Sequence, residues 1–479
     1  MKKADIYNTH IEVYPYDIGE YDDLEKSLSK WDQTYFRRVP IAYYIEDETL
    51  YIPRGVGTME IENFFDDIEV TKVNVVDKSS KIRFGEPLYE PKSSIQEKAI
   101  DFLTGENDYK DSLRYAQLGL NLDTGDGKTY AAISAILKLK EKAIIITHQT
   151  KIKNQWIKSI KDMTTFPNDR LIDICGSDDI TAILDGYLSG EIYVVNHQTI
   201  HSYARENGWQ SITEFFRTIK VGIKVIDEAH KFFENSLMID YFTNTKKTFY
   251  LTATYGRSDS KEQAIYRRAF SSLARFGEET FDYEEKRKHI KFIICYFSSK
   301  SSNGYEPNVR TAYGFSGYKY IDYQLTEDNN TLMKVTHKIL DNISHLKGKI
   351  LIISTKTESC EIIAEDVAAY TGKSVGTIHS KNSPEKNADS MTKEIISSTV
   401  KSIGEGVDIK GLRALILLEP IGSKSLADQV RGRLREYSSS DDTFLFYPVD
   451  LTIPDMTVML KRIRPMMKRK CKEIVELHF

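Results

Sequence analysis

The feature that most constrains this chain is a series of short, almost wholly apolar segments separated by longer stretches of helical character. AIIIT at 143 to 147, IYVVN at 192 to 196, VGIKVID at 221 to 227 and KTFYLTAT at 247 to 254 are near-continuously apolar, as strands covered on both sides must be. Such strands alternating with helices make βαβ units on a parallel sheet. The same rhythm returns with KILIIST at 349 to 355, SVGTIH at 374 to 379, EIISST at 394 to 399 and ALILLE at 414 to 419. The chain is therefore read as α/β, with two similar parallel-sheet domains in tandem, no clear sequence repeat, and a cleft implied between them.

The beginning has another texture. IAYYIEDETLYIPRG at 41 to 55 mixes short alternating apolar stretches with turn signals at Pro53, Gly55 and Gly57, which suggests a small β-rich or α+β accessory domain. The expected domains are 1–88, 89–285 and 286–479. A charge-rich stretch at 257 to 289 is read as a connector, and a Ser-, Gly-, Asn- and Tyr-rich stretch at 299 to 318 as a surface insertion. The tail LKRIRPMMKRKCKEIVELHF is drawn as a basic amphipathic helix interrupted at Pro465, packed back on the second domain or, alternatively, touching DNA.

With 479 residues, 41% of them hydrophobic, each domain has material for a core. No apolar run reaches the roughly 18 residues that cross a bilayer, and the N-terminus lacks a signal-peptide core, so a cytoplasmic protein without a membrane partner is expected. Cys175, Cys295, Cys360 and Cys471 lie too far apart for a CxxC metal site and are read as reduced, mostly buried thiols. The net charge of −4 is unlike that of proteins that hold nucleic acid by bulk electrostatics, so any nucleic-acid path must be a local groove.

The chemistry concentrates in LDTGDGKT at 122 to 129, which opens a helical segment. Gly125 and Gly127, with Thr124 and Asp126 between and before them, suit a loop whose N–H groups turn inward around phosphates. Lys128 then reaches the β/γ-phosphates and Thr129 offers a hydroxyl to Mg²⁺. Leu122 stands where the full pattern has its first glycine. Further on, the strand VGIKVI delivers Asp227, Glu228, Ala229 and His230 at its C-terminal end, where α/β domains place ligand sites. An acidic pair there suits nucleotide hydrolysis, with Asp227 holding Mg²⁺ through water and Glu228 orienting and deprotonating the attacking water. Strand ends THQT at 147 to 150, NHQT at 196 to 199 and ISTK at 353 to 356 put Thr147, His197, Gln198 and Ser354 at corresponding edges. These groups suit contacts to a phosphate backbone or, equally, helix capping.

GDGKT, DEAH, LTAT at 251 to 254, GEGVDIKGL at 404 to 412 and QVRGRLRE at 429 to 436 occur in an order that resembles the motif set of superfamily-2 DEAH-type helicases, over roughly residues 92 to 440. The resemblance implies two RecA-like domains, ATP with Mg²⁺, and a motor that is usually monomeric. It also implies that Gln96 reads the adenine and that Thr252 and Thr254, with His230, couple hydrolysis to domain movement. Gly404, Glu405, Gly406 and Asp408, together with Thr399 at the end of EIISST, correspond to the second-domain segment touching nucleotide and nucleic acid. Gln429, Gly432 and Arg433 match the final motif, whose last arginine is displaced: Glu436 occupies its position and Arg435 precedes it, so Arg433 is taken as the first finger candidate and Arg435 as the second. An arginine from the second domain would stabilise transition-state charge only in a closed cleft.

KNQW at 153 to 156, with Gln155 and Trp156, resembles a segment of XPB-like and phage UvsW-like DNA helicases, although a lone helical Trp is also a common core residue. LYIPRGV at 50 to 56 and SKSLADQVRGR at 423 to 433 resemble segments of the same branch. The branch implies single-stranded and branched duplex DNA gripped by its backbone, forks, Holliday junctions and displacement loops as targets, replication or recombination proteins as possible partners, and a bacterial cytoplasm if the chain is phage-encoded. Arg37, Arg38 and Arg54 in the accessory domain are candidates for duplex phosphates. Motor subunits of restriction systems and RNA helicases share the same motor, and a nucleotide-gated scaffold without catalysis is the alternative outside enzymes.

Overall fold

A computed structural model describes residues 2–19, 22–32, 36–65, 67–73, 79–122, 125–252, 260–277, 288–299, 309–312, 314–326, 330–404, 409–438 and 440–479. The chain forms two units, Met1–Phe281 and Asp282–Phe479.

The first unit opens with a five-stranded sheet of β1 (Lys2–Ile6), β2 (His10–Tyr14), β3 (Tyr44–Glu46), β4 (Thr49–Pro53) and β5 (Ile68–Lys72), in the order β3-β4-β2-β1-β5. Its neighbours are antiparallel except β1 and β5. Seven strands follow: β6 (Gln117–Asn121), β7 (Ala143–Thr147), β8 (Leu171–Ile174), β9 (Ile192–Asn196), β10 (Ile223–Asp227), β11 (Lys247–Thr252) and β12 (Ala274–Gly277). They pair in the order β8-β9-β7-β10-β11-β6-β12, all parallel. The helices that matter for the site are α1 (Ser94–Thr104), α2 (Lys128–Leu139), α3 (Thr150–Met163), α4 (His197–Asn207), α5 (Phe233–Tyr241) and α6 (Ser260–Ala269). Residues 260 to 277, expected within a connector, instead supply α6 and the edge strand β12. Charged α6 looks like a linker in sequence because so much of its surface is polar.

The second unit repeats the plan. Its strands are β13 (Ile290–Phe297), β14 (Lys349–Ser354), β15 (Val375–Ile378), β16 (Ile395–Thr399), β17 (Leu412–Leu417), β18 (Thr443–Asp450) and β19 (Glu473–His478). They are ordered β15-β16-β14-β17-β18-β13-β19 and are again parallel. Counted from its own first strand, each sheet reads 3-4-2-5-6-1-7, so the two have the same topology. The helices α7 (Val400–Gly404), α8 (Lys424–Arg431) and α9 (Pro454–Lys470) complete the parts used below. The tail differs from the expectation at two points. α9 runs through Pro465, which is exposed, so the carbonyl left without its N–H partner is on the solvent side; and the last residues form β19 rather than more helix. Met456, Leu460, Ile463 and Met467 make the buried stripe of α9, at the spacing of one helix face.

The N-terminal sheet shares its core with the first large sheet: Ala4, Ile11, Leu50 and Ile52 lie in one buried cluster with Ile144, Val195, Ile226 and Tyr250. Asn8 in the β1–β2 turn donates from N to Asn244 Oδ1 at 3.3 Å and from Nδ2 to the Thr245 carbonyl at 3.1 Å, and Gln117 Nε2 donates to the Thr9 carbonyl at 3.2 Å. At Gly55 a Cβ would fall 2.3 Å from the Arg268 carbonyl oxygen, so the IPRGV loop meets the end of α6 at a distance only glycine permits. Between the strand ends and this sheet lies a run of rings, with centroids of Phe232 and His197 4.8 Å apart, His201 and Trp209 4.9 Å, Trp209 and Phe242 5.2 Å, and Phe242 and Tyr51 5.0 Å.

Under β10 sits a wholly buried ion pair, Lys224 Nζ to Asp240 Oδ1 at 2.5 Å. Tyr250 donates to the other carboxylate oxygen at 2.5 Å, and Gln117 donates to Tyr250 at 3.0 Å. Lys224→Met strands the carboxylate and is expected to lower the unfolding free energy by about 3–5 kcal/mol, read from the urea midpoint, while a paired Asp240→Leu change restores most of it. A second expectation concerns His197. Burial, with His201 and His148 close by, holds it down at about 4, against 6.5 in an unfolded chain. The unfolded state therefore takes up a proton that the folded state refuses, and stability declines as pH falls from about 6.5 and levels off below about 4. Urea midpoints across that window should show the decline in wild type, and His197→Phe should remove about 2–4 kcal/mol of it.

Candidate active site

All seven parallel strands of the first sheet end on one edge, and the glycine loop and the acid pair singled out from sequence follow strands ending there. β6 leads through Leu122 into the glycine loop. Leu122 is buried in the core, which accounts for a leucine where the common pattern has glycine. Gly125 and Gly127 take φ of +100° and +85°, and Gly127 caps α2. Gln96 on α1 packs against this turn. Its Oε1 accepts from Lys92 N at 2.8 Å, and a Cβ on Gly127 would lie 2.1 Å from its Nε2. Gly127 is thus required for conformation and for room. Lys128 Nζ donates to the Leu122 carbonyl at 2.6 Å, its ammonium folded over its own loop. Asp126 and Thr129 are partly buried at the same turn; Thr124 lies outside the described residues.

β10 lies between β7 and β11 and delivers Asp227 to the middle of the edge. Asp227 Oδ2 accepts from Trp156 Nε1 at 2.8 Å and Oδ1 from the Glu228 N–H at 2.9 Å. Burial pushes the Asp227 carboxyl up to about 6, and the neighbouring Glu228 charge adds to this against the pull of Trp156 and Lys128. Glu228 behaves oppositely: burial works against its ionisation, but His230, Lys128 and Lys231 hold it below the ordinary glutamate range. It sits at φ +50°, uncommon for any residue but glycine. Glu228 Oε2 is 3.3 Å from His230 Nδ1, which is 2.7 Å from Thr252 Oγ1. The acid at the end of β10 is thereby connected to the end of β11. Two adjacent carboxyls pushed apart in this way form a base that stays ionised beside an acid whose charge calls for a cation.

Several expected nucleic-acid contacts are placed otherwise. Trp156 is 1% exposed; a ring so enclosed stacks on no base, and its N–H holds Asp227. Its neighbour Gln155 is exposed on α3. Thr147 is buried and donates to Asn196 Oδ1 at 2.8 Å, so its hydroxyl ties β7 to β9. His197 is buried against Phe232 and Asn235, while Gln198 is exposed. Sequence reasoning passed over Asn196, whose Nδ2 also donates to Thr150 Oγ1 at 3.1 Å; an amide ending an apolar strand was the available signal.

In the second unit Ser354 and Thr399 end β14 and β16, the topological equivalents of β7 and β9. Ser354 is wholly buried, its hydroxyl 2.9 Å from Ser359 Oγ, and Thr399 accepts from Ser402 N at 3.1 Å, capping α7. Both hydroxyls are committed internally rather than offered to a backbone. Gly404 ends α7, whereas Glu405, Gly406, Asp408 and, in the first unit, Thr254 lie outside the described residues. α8 carries Gln429, partly buried; Arg433 just beyond it is partly buried and Arg435 exposed. Arg431 is not on a solvated face: its Nε donates to Asp428 Oδ1 at 2.8 Å, and Lys470 of α9 donates to Oδ2 at 2.7 Å. All three groups are buried, and they lock α8 to α9 ahead of Arg433. Among the described residues no group of three or more His, Cys, Asp or Glu side chains is placed to hold a metal, and no helix is long and apolar enough to cross a membrane. The four cysteines are unpaired, and all but Cys175 are buried.

Comparison with known proteins agrees with this architecture. Residues 91–257 match the family model described as type III restriction enzyme, res subunit. Transcript termination protein A18 of Yaba monkey tumor virus (strain VR587) is 23% identical over 350 residues, 69% of this chain and 67% of its own. A fragment of an HsdR subunit of a type I restriction enzyme from Vibrio vulnificus has a similar fold, with a TM-score of 0.54 and 15% identity over 82% of this chain and 70% of its own. So has S. cerevisiae Dbp5 bound to RNA and ADP BeF3, with a TM-score of 0.51 and 12% identity over 81% of this chain and 90% of its own. With a glycine loop, a strand-end acid pair and two RecA-like sheets in one chain, the protein is similar to the superfamily-2 helicases, helicase-like ATP-dependent motors on nucleic acid.

Proposed function

We propose that this motor is a DEAH-type DNA helicase or translocase that remodels branched DNA, as in replication, recombination or repair. The observation that carries the catalytic part is the placement of two adjacent carboxyls at one strand end, Asp227 held by Trp156 Nε1 at 2.8 Å and Glu228 3.3 Å from His230. On this reading Lys128 binds the β/γ-phosphates, with Gly125, Asp126, Gly127 and Thr124 around them, and Gln96 faces the adenine. Thr129 and Asp227 hold Mg²⁺, whose part when bound is to neutralise phosphate charge. The partly buried acid and the hydroxyl at the helix start fit such an ion by their chemistry. Glu228 positions the water and accepts its proton, His230 and Thr252 pass the state of the acid to β11, and Gln429, Arg433 and then Arg435 supply charge to the transition state.

DNA is preferred because the KNQW and IPRGV segments resemble those of branched-DNA helicases, and residues 1 to 88 are assigned the sensing of junctions. A second reading has its own support: the family model is named for a restriction enzyme subunit, which favours a duplex translocase working beside a nuclease. Steady-state ATP turnover at fixed salt with single-stranded DNA, duplex, forks, four-way junctions and RNA separates these readings. Forks and junctions should stimulate most; a response to linear duplex alone supports the translocase, and a response to RNA alone defeats the DNA assignment. Arg433→Ala should lower stimulated turnover by about 10³-fold with folding intact, and near-normal turnover would remove its assigned role.

A further inference from the structure

One element of the N-terminal segment has no part in the motor chemistry: a short hairpin, Ser29–Asp32 paired with Arg37–Pro40. Trp31 lies directly opposite Arg38, so the two side chains leave the same face of the hairpin. Trp31 is 48% exposed and Phe36 79%, and Arg37 and Arg38 are exposed as well. The other two tryptophans are used internally, Trp156 on Asp227 and Trp209 stacked on Phe242. A large ring left in water beside guanidiniums is the combination that receives a nucleobase face and its phosphates.

The hairpin's other face is anchored. Lys30 Nζ is bonded to Glu262 Oε1 of α6 at 2.6 Å, and a groove lined by Trp31, Ile41, Glu234, Lys261 and Glu262 separates the hairpin from α5 and α6. Asp32, Glu234 and Glu262 line this groove together with Lys30 and Lys261, so it presents both carboxylate and ammonium groups to the polar edge of a base. Phosphate is suited to Arg38, which leaves the same open face as Trp31. The helices forming the floor follow the two strands that end in Asp227 and Thr252, so the element is mounted on the catalytic half of the unit.

We propose that this hairpin is the junction contact of the protein: the first unpaired base beside a DNA duplex end stacks on Trp31, its edge turned to the groove, with the flanking phosphate on Arg38. The inference rests on the DNA reading above and adds to it a residue-level binding site. The test uses the full chain and a forked DNA oligonucleotide, following tryptophan fluorescence and fork affinity. Wild type should show quenching on fork binding. Trp31→Phe should lose the quench but keep the affinity, and Trp31→Ala should bind the fork about 5- to 150-fold more weakly. Urea midpoints and ATP turnover without DNA should be unchanged in both. If wild type binds forks and Trp31→Ala binds them equally well, the hairpin assignment is overturned and the DNA reading stands; if wild type binds no DNA, both fall.

Discussion

Parallel pairing is the constraint on which everything else depends. Because β6 to β12 all run in one direction, their C-terminal ends share an edge, and Leu122, Thr147, Asn196, Asp227 and Thr252 meet there although they span more than a hundred residues of chain. No local interaction brings Trp156 to Asp227 or His230 to Thr252; the register of β7, β10 and β11 does so. Once the edge exists, Asp227 and Glu228 are partly buried there, and the groups beside each, Glu228 beside Asp227 and His230 and Lys128 beside Glu228, shift the two carboxyls in opposite directions.

The two sheets share one strand order, yet their strand-end acids differ. β10 ends in Asp227, whereas its equivalent β17 ends in Leu417 among apolar neighbours. Asp450 ends β18 but is wholly buried and bonded by Ser299 and Thr452, and the helices of the second unit bury Asp428, Arg431 and Lys470, a cluster in which each carboxylate oxygen has a cationic partner. Such a cluster adds little net stability, since desolvation offsets much of the attraction, but it fixes the direction in which α8 runs. Chemistry and stiffness are thus divided between two copies of a single topology.

The N-terminal sheet belongs mechanically to the first unit. It shares an apolar core with the large sheet, it meets α6 at Gly55, and it is linked to the strand-end edge by a row of packed rings. Helices α5 and α6, which touch it, follow the strands ending in Asp227 and Thr252. The N-terminal segment and the strand-end edge therefore bear on the same two helices.

Much of this was readable in the residues alone. Eight strands announced themselves as apolar runs, because burial on both faces leaves no polar alternation, and the glycine loop and acid pair were legible because phosphate chemistry needs those residue types at that spacing. Strands such as β8 and β12 were not, being short edge strands with polar residues like Asp173 and Arg275 on them, and β19 was hidden behind a basic helix. The sequence by itself determined the α/β class, the order of the motifs and the identity of the acids, since these depend on local composition and spacing. Only the tertiary structure decided that Trp156 is a donor to Asp227 rather than a base contact, that Thr147 and Ser354 face inward, and that Trp31 stays in water, because burial and hydrogen-bond partners are set by strands and helices far apart in the chain.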